Sequence, residues 1–155
     1  MRILVAALAF ALVCGVVGSN VAQATHPVTE KPKLALSISA NPTTVKSGSK
    51  ITIQIETTNT SGQSIVFRSE PMEYRYEAVV RDAQGNLVAD TEHGREARRP
   101  PEQYSGGGFP LEPGKTTKDE LVISDLYDLS RPGKYSVQVR CRGAKSNTIT
   151  VTVVP

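Results

Sequence analysis

Hydrophobic and polar residues alternate along most of the chain. Ile51, Ile53 and Ile55 are each followed by a polar residue, which gives this segment one apolar and one polar face. A period of two is typical of a strand that buries one face. In segment 74–80 the alternation places Tyr74 on the buried face and Arg75 on the exposed face. The same period recurs at residues 34–38, 121–123, 135–141 and 149–153, and short apolar segments follow turns at 65–67 and 87–88.

Turn sequences separate these segments. NPTTVKSG and TNTSGQS are rich in the residues that favour chain reversals, and DAQGN is typical of a hairpin. Because the connections are mostly too short to contain crossover helices, we expect antiparallel strands. The one hint of a helix, at 126–129, is a single turn. The pattern therefore predicts an all-β fold, an antiparallel β-sandwich of seven to eight strands.

The first residues are typical of an export signal. Arg2 supplies a positive charge, residues 3–17 form an apolar run, and AQA at 22–24 has the small-x-small pattern of a cleavage site. The run is shorter than the roughly 20 apolar residues that a membrane-spanning helix needs. We therefore predict a signal peptide at 1–24, a flexible leader at 25–33 and one β-sandwich domain at 34–155 in the periplasm or outside the cell. Lipidation at Cys14 is the less favoured alternative, because Ala11 and Val13 do not match a lipobox.

Charge and cysteine content argue against several classes of function. Cleavage after Ala24 removes Arg2, which leaves 17 basic residues against 15 acidic ones, a net charge of +2. Nucleic-acid partners and anionic membranes need a concentrated basic face, so this balance argues against both. Cys141 is then left without an intrachain disulfide partner. Its place in the 135–141 alternation favours a small buried hydrophobic side chain over a reactive or intermolecular thiol.

A corner is predicted where the chain runs through SRPGKY. Pro132 fixes φ and Gly133 permits a positive φ, so the pair can reverse the chain. Tyr135 is expected to pack its ring and to bond its hydroxyl to the backbone just upstream, as a tyrosine corner does. We interpret these three residues as a structural corner rather than a binding site.

Two stretches carry a resemblance to a known family. They are LEPGKTTKDELVISDLYDLSRPGKYSVQV at 111–139 and NPTTVKSGSKITIQIETTNTSGQSI at 41–65. Their order of turn residues and strand residues resembles that of the immunoglobulin-like sandwich that precedes the catalytic domain in secreted deuterolysin-like, peptidyl-Lys-type metalloendopeptidases. The likeness covers most of 34–153. It implies an immunoglobulin-like (fibronectin III-like) variant of the predicted sandwich, and it specifies a fold more than an activity.

The resemblance also limits the activity that we expect. In those peptidases a catalytic domain with a His-Glu-x-x-His zinc motif follows the sandwich, whereas this sequence ends after its last predicted strand. The histidines, His26 and His93, lack that spacing. We therefore expect no enzyme and no cofactor, but an exported, monomeric domain that binds another secreted or envelope protein. The alternative is a protease inhibitor, or a stand-alone, prodomain-like regulator of a secreted peptidase.

Two further patterns each have a functional and a structural interpretation. Asp119, Glu120, Asp125 and Asp128 carry the oxygen ligands that Ca²⁺ prefers. They do not match an EF-hand loop, so an acidic solvated turn is favoured and no metal site is predicted. The sequence NTS at Asn59 is a glycosylation sequon only in a eukaryotic secretory pathway.

The connection at 91–110 is the segment left unexplained. Loops longer than about 12–15 residues in a compact domain are commonly functional or disordered. The residues that suit contact with a partner are Arg95, Arg98, Arg99, Tyr104 and Phe109. Glu92, Glu96 and Glu102 cancel the basic charges, and Pro-Pro and Gly-Gly-Gly are typical of a mobile surface loop. Two interpretations therefore remain, a functional contact and a mobile connector.

Overall fold

The computed structural model describes residues 33–99 and 106–155. The predicted signal peptide, with Cys14, lies outside the described residues. So do Tyr104 and, apart from Lys33, the predicted leader with His26. In the described part of the chain, no helix is long and apolar enough to span a membrane.

Strands dominate the described chain, and three short helices interrupt them. The strands are β1 (Leu34–Ala40), β2 (Thr44–Lys46), β3 (Thr52–Asn59), β4 (Ile65–Arg68), β5 (Glu77–Arg81), β6 (Gly108–Leu111), β7 (Thr116–Val122), β8 (Gly133–Cys141), β9 (Ala144–Lys145) and β10 (Ile149–Val154). The helices are α1 (Met72–Arg75), α2 (Glu92–Ala97) and α3 (Ile123–Leu126). The predicted all-β class is confirmed.

Two main sheets contain most of the strands. One has the order β1-β3-β7, and the other has the order β2-β10-β8-β5 with β9 paired to β8. Strands β4 and β6 form a small sheet of their own. The pairings are antiparallel apart from β2 with β10, which is parallel. The expectation of antiparallel pairing is wrong there, because β2 and β10 are far apart in sequence and no hairpin sets their relative direction.

Both main sheets bury one face in a shared core. Ile53 and Ile55 of β3 and Val137 and Val139 of β8 are fully buried, and all belong to one apolar cluster. Alternate residues along the same strands are partly or fully exposed. The alternation in the sequence thus identified the inward faces of both layers.

The structure corrects the strand count and one face assignment. The described chain has ten strands rather than seven to eight, because β2, β6 and β9 were not predicted and 87–88 is not a strand. These three strands have two to four residues each, too few to produce a clear alternation. Segment 74–80 does not begin as a strand: Tyr74 lies on α1, and β5 starts at Glu77. Arg75 is buried rather than exposed, since a helical turn points it in a direction that a period of two cannot predict.

Three other segments differ from the prediction. Leu87 is 66% exposed and forms only an isolated bridge with Arg81, so 87–88 is not a strand. The helical turn lies at Ile123–Leu126 rather than at 126–129. The connection at 91–110 contains α2 and β6. A six-residue helix is too short for a helical period to emerge from the sequence.

The backbone conformation of the corner before β8 differs from the prediction. The chain bends at Arg131 and Pro132, and Gly133 is already the first residue of β8. Gly133 does not adopt a positive φ, so that part of the prediction is wrong. The hydroxyl of Tyr135 donates to the carbonyl of Arg131 at 2.7 Å. A Cβ on Gly133 would lie 3.9 Å from the Tyr135 ring, so the ring lies beside the glycine.

The buried side chain of Asn59 holds the turn after β3 through hydrogen bonds. Its side-chain amide donates to the carbonyls of Gln63 and Leu111, both at 2.7 Å. Its side-chain oxygen accepts from the amide and the hydroxyl of Ser61, at 2.9 and 2.7 Å. Because Asn59 is fully buried, the sequon is not presented to solvent by the folded domain.

Asn59→Asp is expected to lower the free energy of unfolding by about 3 kcal/mol. The change removes the hydrogen bonds to the carbonyls of Leu111 and Gln63, although the Gln63 carbonyl still accepts from the Ser61 hydroxyl. It also buries a carboxylate, and leaving a buried polar group without its partner costs about 1–3 kcal/mol. Urea denaturation at neutral pH measures the effect. Gln63→Glu is the matched control, because that side chain is exposed in the same turn and the same chemical change there should be nearly neutral. Equal losses in both variants would contradict the role assigned to Asn59.

Candidate functional site

Helix α2 is anchored to α3 at its N-terminal end. The side chain of Thr91 caps the helix by accepting from the amide of Gly94 at 2.9 Å, and its hydroxyl donates to the carbonyl of Asp125. The amide of Thr91 donates to the carbonyl of Leu126 at 3.0 Å. A Cβ on Gly94 would lie 2.1 Å from that same carbonyl oxygen, so the two helices meet through a glycine. Helix α2 therefore packs against α3 at this end.

Arg98 ties the other end of α2 to the core. Its Nη2 lies 3.0 Å from Asp90 Oδ1 and donates to the hydroxyl of Tyr127 at 2.6 Å. The guanidinium also lies over the Tyr127 ring, 5.2 Å from its centroid. Tyr127 is buried, and its hydroxyl donates to the carbonyl of Ala78 on β5. The contacts of the Arg98 side chain therefore hold α2 in place.

The outer face of α2 is charged and exposed. Gly94 and Ala97 form its buried face. Arg95 is exposed and donates from Nη1 to the carbonyl of Asp90 at 3.0 Å, and Arg99 is exposed at the end of the segment. The other exposed side chains on this face are Glu92, His93 and Glu96. The helix thus presents both signs of charge on a fixed support.

Phe109 lies away from this face. It is on β6, directly opposite Phe67 of β4 in the register, and the two rings stack with centroids 5.9 Å apart. The predicted contact residues therefore do not form one surface. Arg95, Arg98 and Arg99 are together at α2, Phe109 belongs to the small sheet, and the remaining one, Tyr104, lies outside the described residues.

A buried charged network lies beneath the small sheet. Arg75 Nη1 is 3.5 Å from Asp119 Oδ1, with side-chain exposures of 3% and 11% respectively. Arg75 Nη2 donates to the carbonyl of Arg68 at 2.9 Å. The guanidinium lies over the rings of Phe67 and Phe109, 5.4 and 5.1 Å from their centroids. Stacking on aromatic faces and pairing with a carboxylate together stabilise a charge at this depth.

Tyr76 extends the network across to β3. Its hydroxyl donates to Asp119 Oδ2 at 2.6 Å and lies 2.8 Å from the hydroxyl of Thr57, which is fully buried. Burial, and then the hydrogen bond to Asp119, raise the pKa of Tyr76 well above its usual range. The network therefore joins α1, β7 and β3, and its role is structural.

The four carboxylates considered for Ca²⁺ do not converge. Asp119 belongs to the buried network, while Glu120 accepts from the side chain of Gln54 at 2.8 Å. Asp128 accepts from Ser130, whose hydroxyl and amide hold the pKa of the Asp128 carboxyl below its usual range. Within residues 33–99 and 106–155, no three His, Cys, Asp or Glu side chains are grouped closely enough to hold a metal ion.

Cys141 ends the buried face of β8. Its thiol is buried, and this burial raises its pKa above the usual value of 9.0. Burial likewise raises the pKa of Tyr127 above 10.0. A raised pKa disfavours the nucleophilic thiolate. These properties are those of a small buried side chain rather than of a reactive thiol.

We expect the domain to lose stability at alkaline pH. The unfolded chain releases the protons of Cys141, Tyr76 and Tyr127 near pH 9–10, whereas the folded chain retains them because all three pKa values are raised. The free energy of unfolding should therefore keep its maximum contribution from these groups below about pH 9. Above that pH it should fall by up to about 1.4 kcal/mol per pH unit for each group. Urea denaturation at a series of pH values measures this slope. Cys141→Ala should remove the earliest part of the decline, and a slope unchanged by that substitution would contradict the assignment.

Comparison with known proteins identifies no family. No protein-family model matches the sequence, and no curated protein matches it. Solved structures that match the chain include a β-glucosidase from Erythrobacter marinus, at 15% identity and a TM-score of 0.46 over 78% of this chain and 15% of that one. They also include an alkylpurine DNA glycosylase from Pseudomonas fluorescens bound to abasic-site DNA, at 11% identity and a TM-score of 0.47 over 79% of this chain and 31% of that one.

A third structure is closer in length. The CARDB domain of a Pyrococcus furiosus protein, solved in complex with di-metal ions, matches at 15% identity and a TM-score of 0.43 over 81% of this chain and 90% of that domain. This chain thus spans only small parts of the first two proteins. At these identities and TM-scores, the similarities assign neither an activity nor a partner to it.

Proposed function

We propose that this protein is an exported, non-enzymatic binding domain that contacts another secreted or envelope protein through the outer face of α2. The docking of α2 is the observation that carries the proposal. Thr91, Gly94 and Arg98 each hold the helix against the core. Meanwhile Arg95 and Arg99 remain at the surface. Preorganised charged side chains of this kind give a partner specificity at a low entropic cost.

We further propose that the fold is an immunoglobulin-like, fibronectin III-like sandwich related to the deuterolysin-type sandwich domains. Two features support this. A three-stranded sheet of order β1-β3-β7 faces a sheet in which β10, β8 and β5 adjoin. Tyr135 sits near the start of β8 and bonds back to Arg131, the position and role of a tyrosine corner in such sandwiches.

Capture from culture fluid and periplasmic extract tests the proposed contact. The purified protein is compared with an Arg95→Glu/Arg99→Glu variant and with Lys134→Glu, which changes an exposed charge on β8. We expect a partner that is recovered by the native protein and by the Lys134 variant but lost with the α2 variant. Recovery that is the same for all three, or no specific recovery, would reject the proposal.

A second candidate function is inhibition or regulation of a secreted peptidase. The same docked helix favours it, since an inhibitor presents its contact segment on a rigid support. Assays of a panel of secreted proteases with excess protein separate the two candidates. Inhibition that is lost in the α2 variant supports a regulator, and the absence of inhibition alongside specific capture supports a binding domain alone.

A further inference from the structure

We infer that a basic groove at the β8–β9 hairpin binds an acidic segment of the partner protein. This inference rests on the proposed function and names the chemistry of the partner. The groove, hereafter the β8–β9 groove, has a volume of about 430 Å³. Its charged and aromatic lining residues are Tyr74, Arg75, Glu77, Arg140, Arg142 and Lys145.

The charge in the groove is not balanced from within. Arg75 is neutralised by Asp119, which leaves Arg140, Arg142 and Lys145 facing a single lining carboxylate, Glu77. The ion pairs found in the described chain are Arg75–Asp119, Arg98–Asp90 and Lys118–Glu56, so none of these three cations takes part in one.

Arg140 lies between a like charge and an opposite charge. The register places it opposite Lys145 on β9 and opposite Glu77 on β5. Glu77 offsets part of the charge on Arg140, whereas Lys145 is a like charge directly opposite it and is destabilising. The Nε of Arg140 is buried and has no hydrogen-bond partner, which is uncommon for a buried polar atom. An arriving carboxylate would relieve the repulsion between Arg140 and Lys145 and would accept from the rest of the guanidinium.

Arg142 fixes one side of the groove. It occupies the first central position of the β8–β9 turn with φ 46°, and Gly143 follows with φ 82°. This is a backbone that favours Asn or Gly over Arg. The side chain lies over the Phe67 ring, 4.6 Å from its centroid, and donates to the carbonyl of Val66 at 2.8 Å. A guanidinium held in this way keeps further donors for a carboxylate.

The position of the groove points to a protein partner. Tyr74 and Glu77 line both this groove and a neighbouring pocket of about 260 Å³, which is also lined by Ala97 and Arg98 at the end of α2. The groove therefore adjoins a pocket that reaches the C-terminal end of α2, the helix that carries the proposed contact face. Guanidinium groups bind carboxylates through paired hydrogen bonds, so a segment rich in Asp or Glu fits this surface.

Fluorescence anisotropy with a labelled Asp-Ser repeat peptide tests the inference, with an Asn-Ser repeat as the uncharged control. We expect binding of the acidic peptide that weakens by roughly tenfold in Arg140→Gln/Lys145→Gln. The matched control is Lys134→Gln, which removes an exposed charge elsewhere on β8 and should leave the affinity unchanged. Circular dichroism confirms that the variants are folded.

The inference would be overturned by no binding of the acidic peptide, by equal weakening in the Lys134 variant, or by tighter groove-dependent binding of single-stranded DNA. Inorganic phosphate is added as a competitor, and displacement by low concentrations of it would also overturn the assignment to a protein segment. Failure of this inference can be distinguished from failure of the proposed function. Partner capture that depends on Arg95 and Arg99, without binding of the acidic peptide, would reject the groove and retain the binding domain.

Discussion

Asp119→Asn is expected to lower the free energy of unfolding by about 3 kcal/mol, close to the lower end of the range for breaking one partner of a buried ion pair. The substitution keeps the size of the side chain and an acceptor for Tyr76. It removes the carboxylate that pairs with Arg75, whose side chain is 3% exposed. The cost arises because the charge on Arg75 stays in the core without a counter-charge.

The aromatic rings around Arg75 do not compensate for this loss. Phe67 and Phe109 flank the guanidinium in both variants, so their contribution is unchanged by the substitution. Urea or guanidinium denaturation measures the difference, with equal m-values as the check that both proteins unfold in the same way.

Glu120→Gln is the control for this prediction. Glu120 is the next residue on β7 and is exposed, with its carboxylate bonded to Gln54. Neutralising it should change the free energy of unfolding by less than about 0.5 kcal/mol. If the two variants lost equal stability, the effect would come from the net charge of β7 and not from the buried pair.

Gly94→Ala is expected to undock α2 while the rest of the domain stays folded. The new Cβ would lie 2.1 Å from the carbonyl oxygen of Leu126 and 2.9 Å from its carbon. Backbone atoms cannot move aside as a flexible side chain can, so the two helices must separate. Overpacking of this kind costs about 1–3 kcal/mol, whereas Ala by itself favours a helix by about 1 kcal/mol over Gly.

Amide hydrogen exchange over residues 92–99 distinguishes undocking from general destabilisation. Exchange should accelerate on α2 and α3 and stay slow on β3 and β8. Gly62→Ala is the control, since a Cβ there meets no atom within 4 Å and Gly62 does not have a positive φ. Unchanged exchange on α2 in the Gly94 variant would contradict the docking.

The layers of the fold were predictable because each strand buries one face. The alternations at Ile51–Ile55 and at Tyr135–Cys141 mark inward residues whatever the order of the strands. The burial of Cys141 followed from the same period. Strand order and the parallel β2–β10 pair were not predictable, because they depend on contacts between segments far apart in the chain.

The candidate site was predictable only in part. The exposed Arg95 and Arg99 lie where the long connection suggested, but their support depends on Gly94 meeting Leu126, a contact that no local pattern encodes. Arg75 was misplaced because a four-residue helix precedes β5 and breaks the period of two. The basic residues of RCRGAK were visible in the sequence, yet only the hairpin register brings Arg140 opposite Lys145.

Site-specific photo-cross-linking in cells that produce the protein is the sharpest test of the proposed α2 contact, because it reports contact rather than affinity. A photoreactive amino acid is placed at position 95 or 99 on α2, and at position 134 on β8 or 118 on β7 as controls. We expect one adduct of the same mass from positions 95 and 99 and none from positions 118 and 134. Adducts that are the same from all four positions, or an absence of adducts from α2, would contradict it.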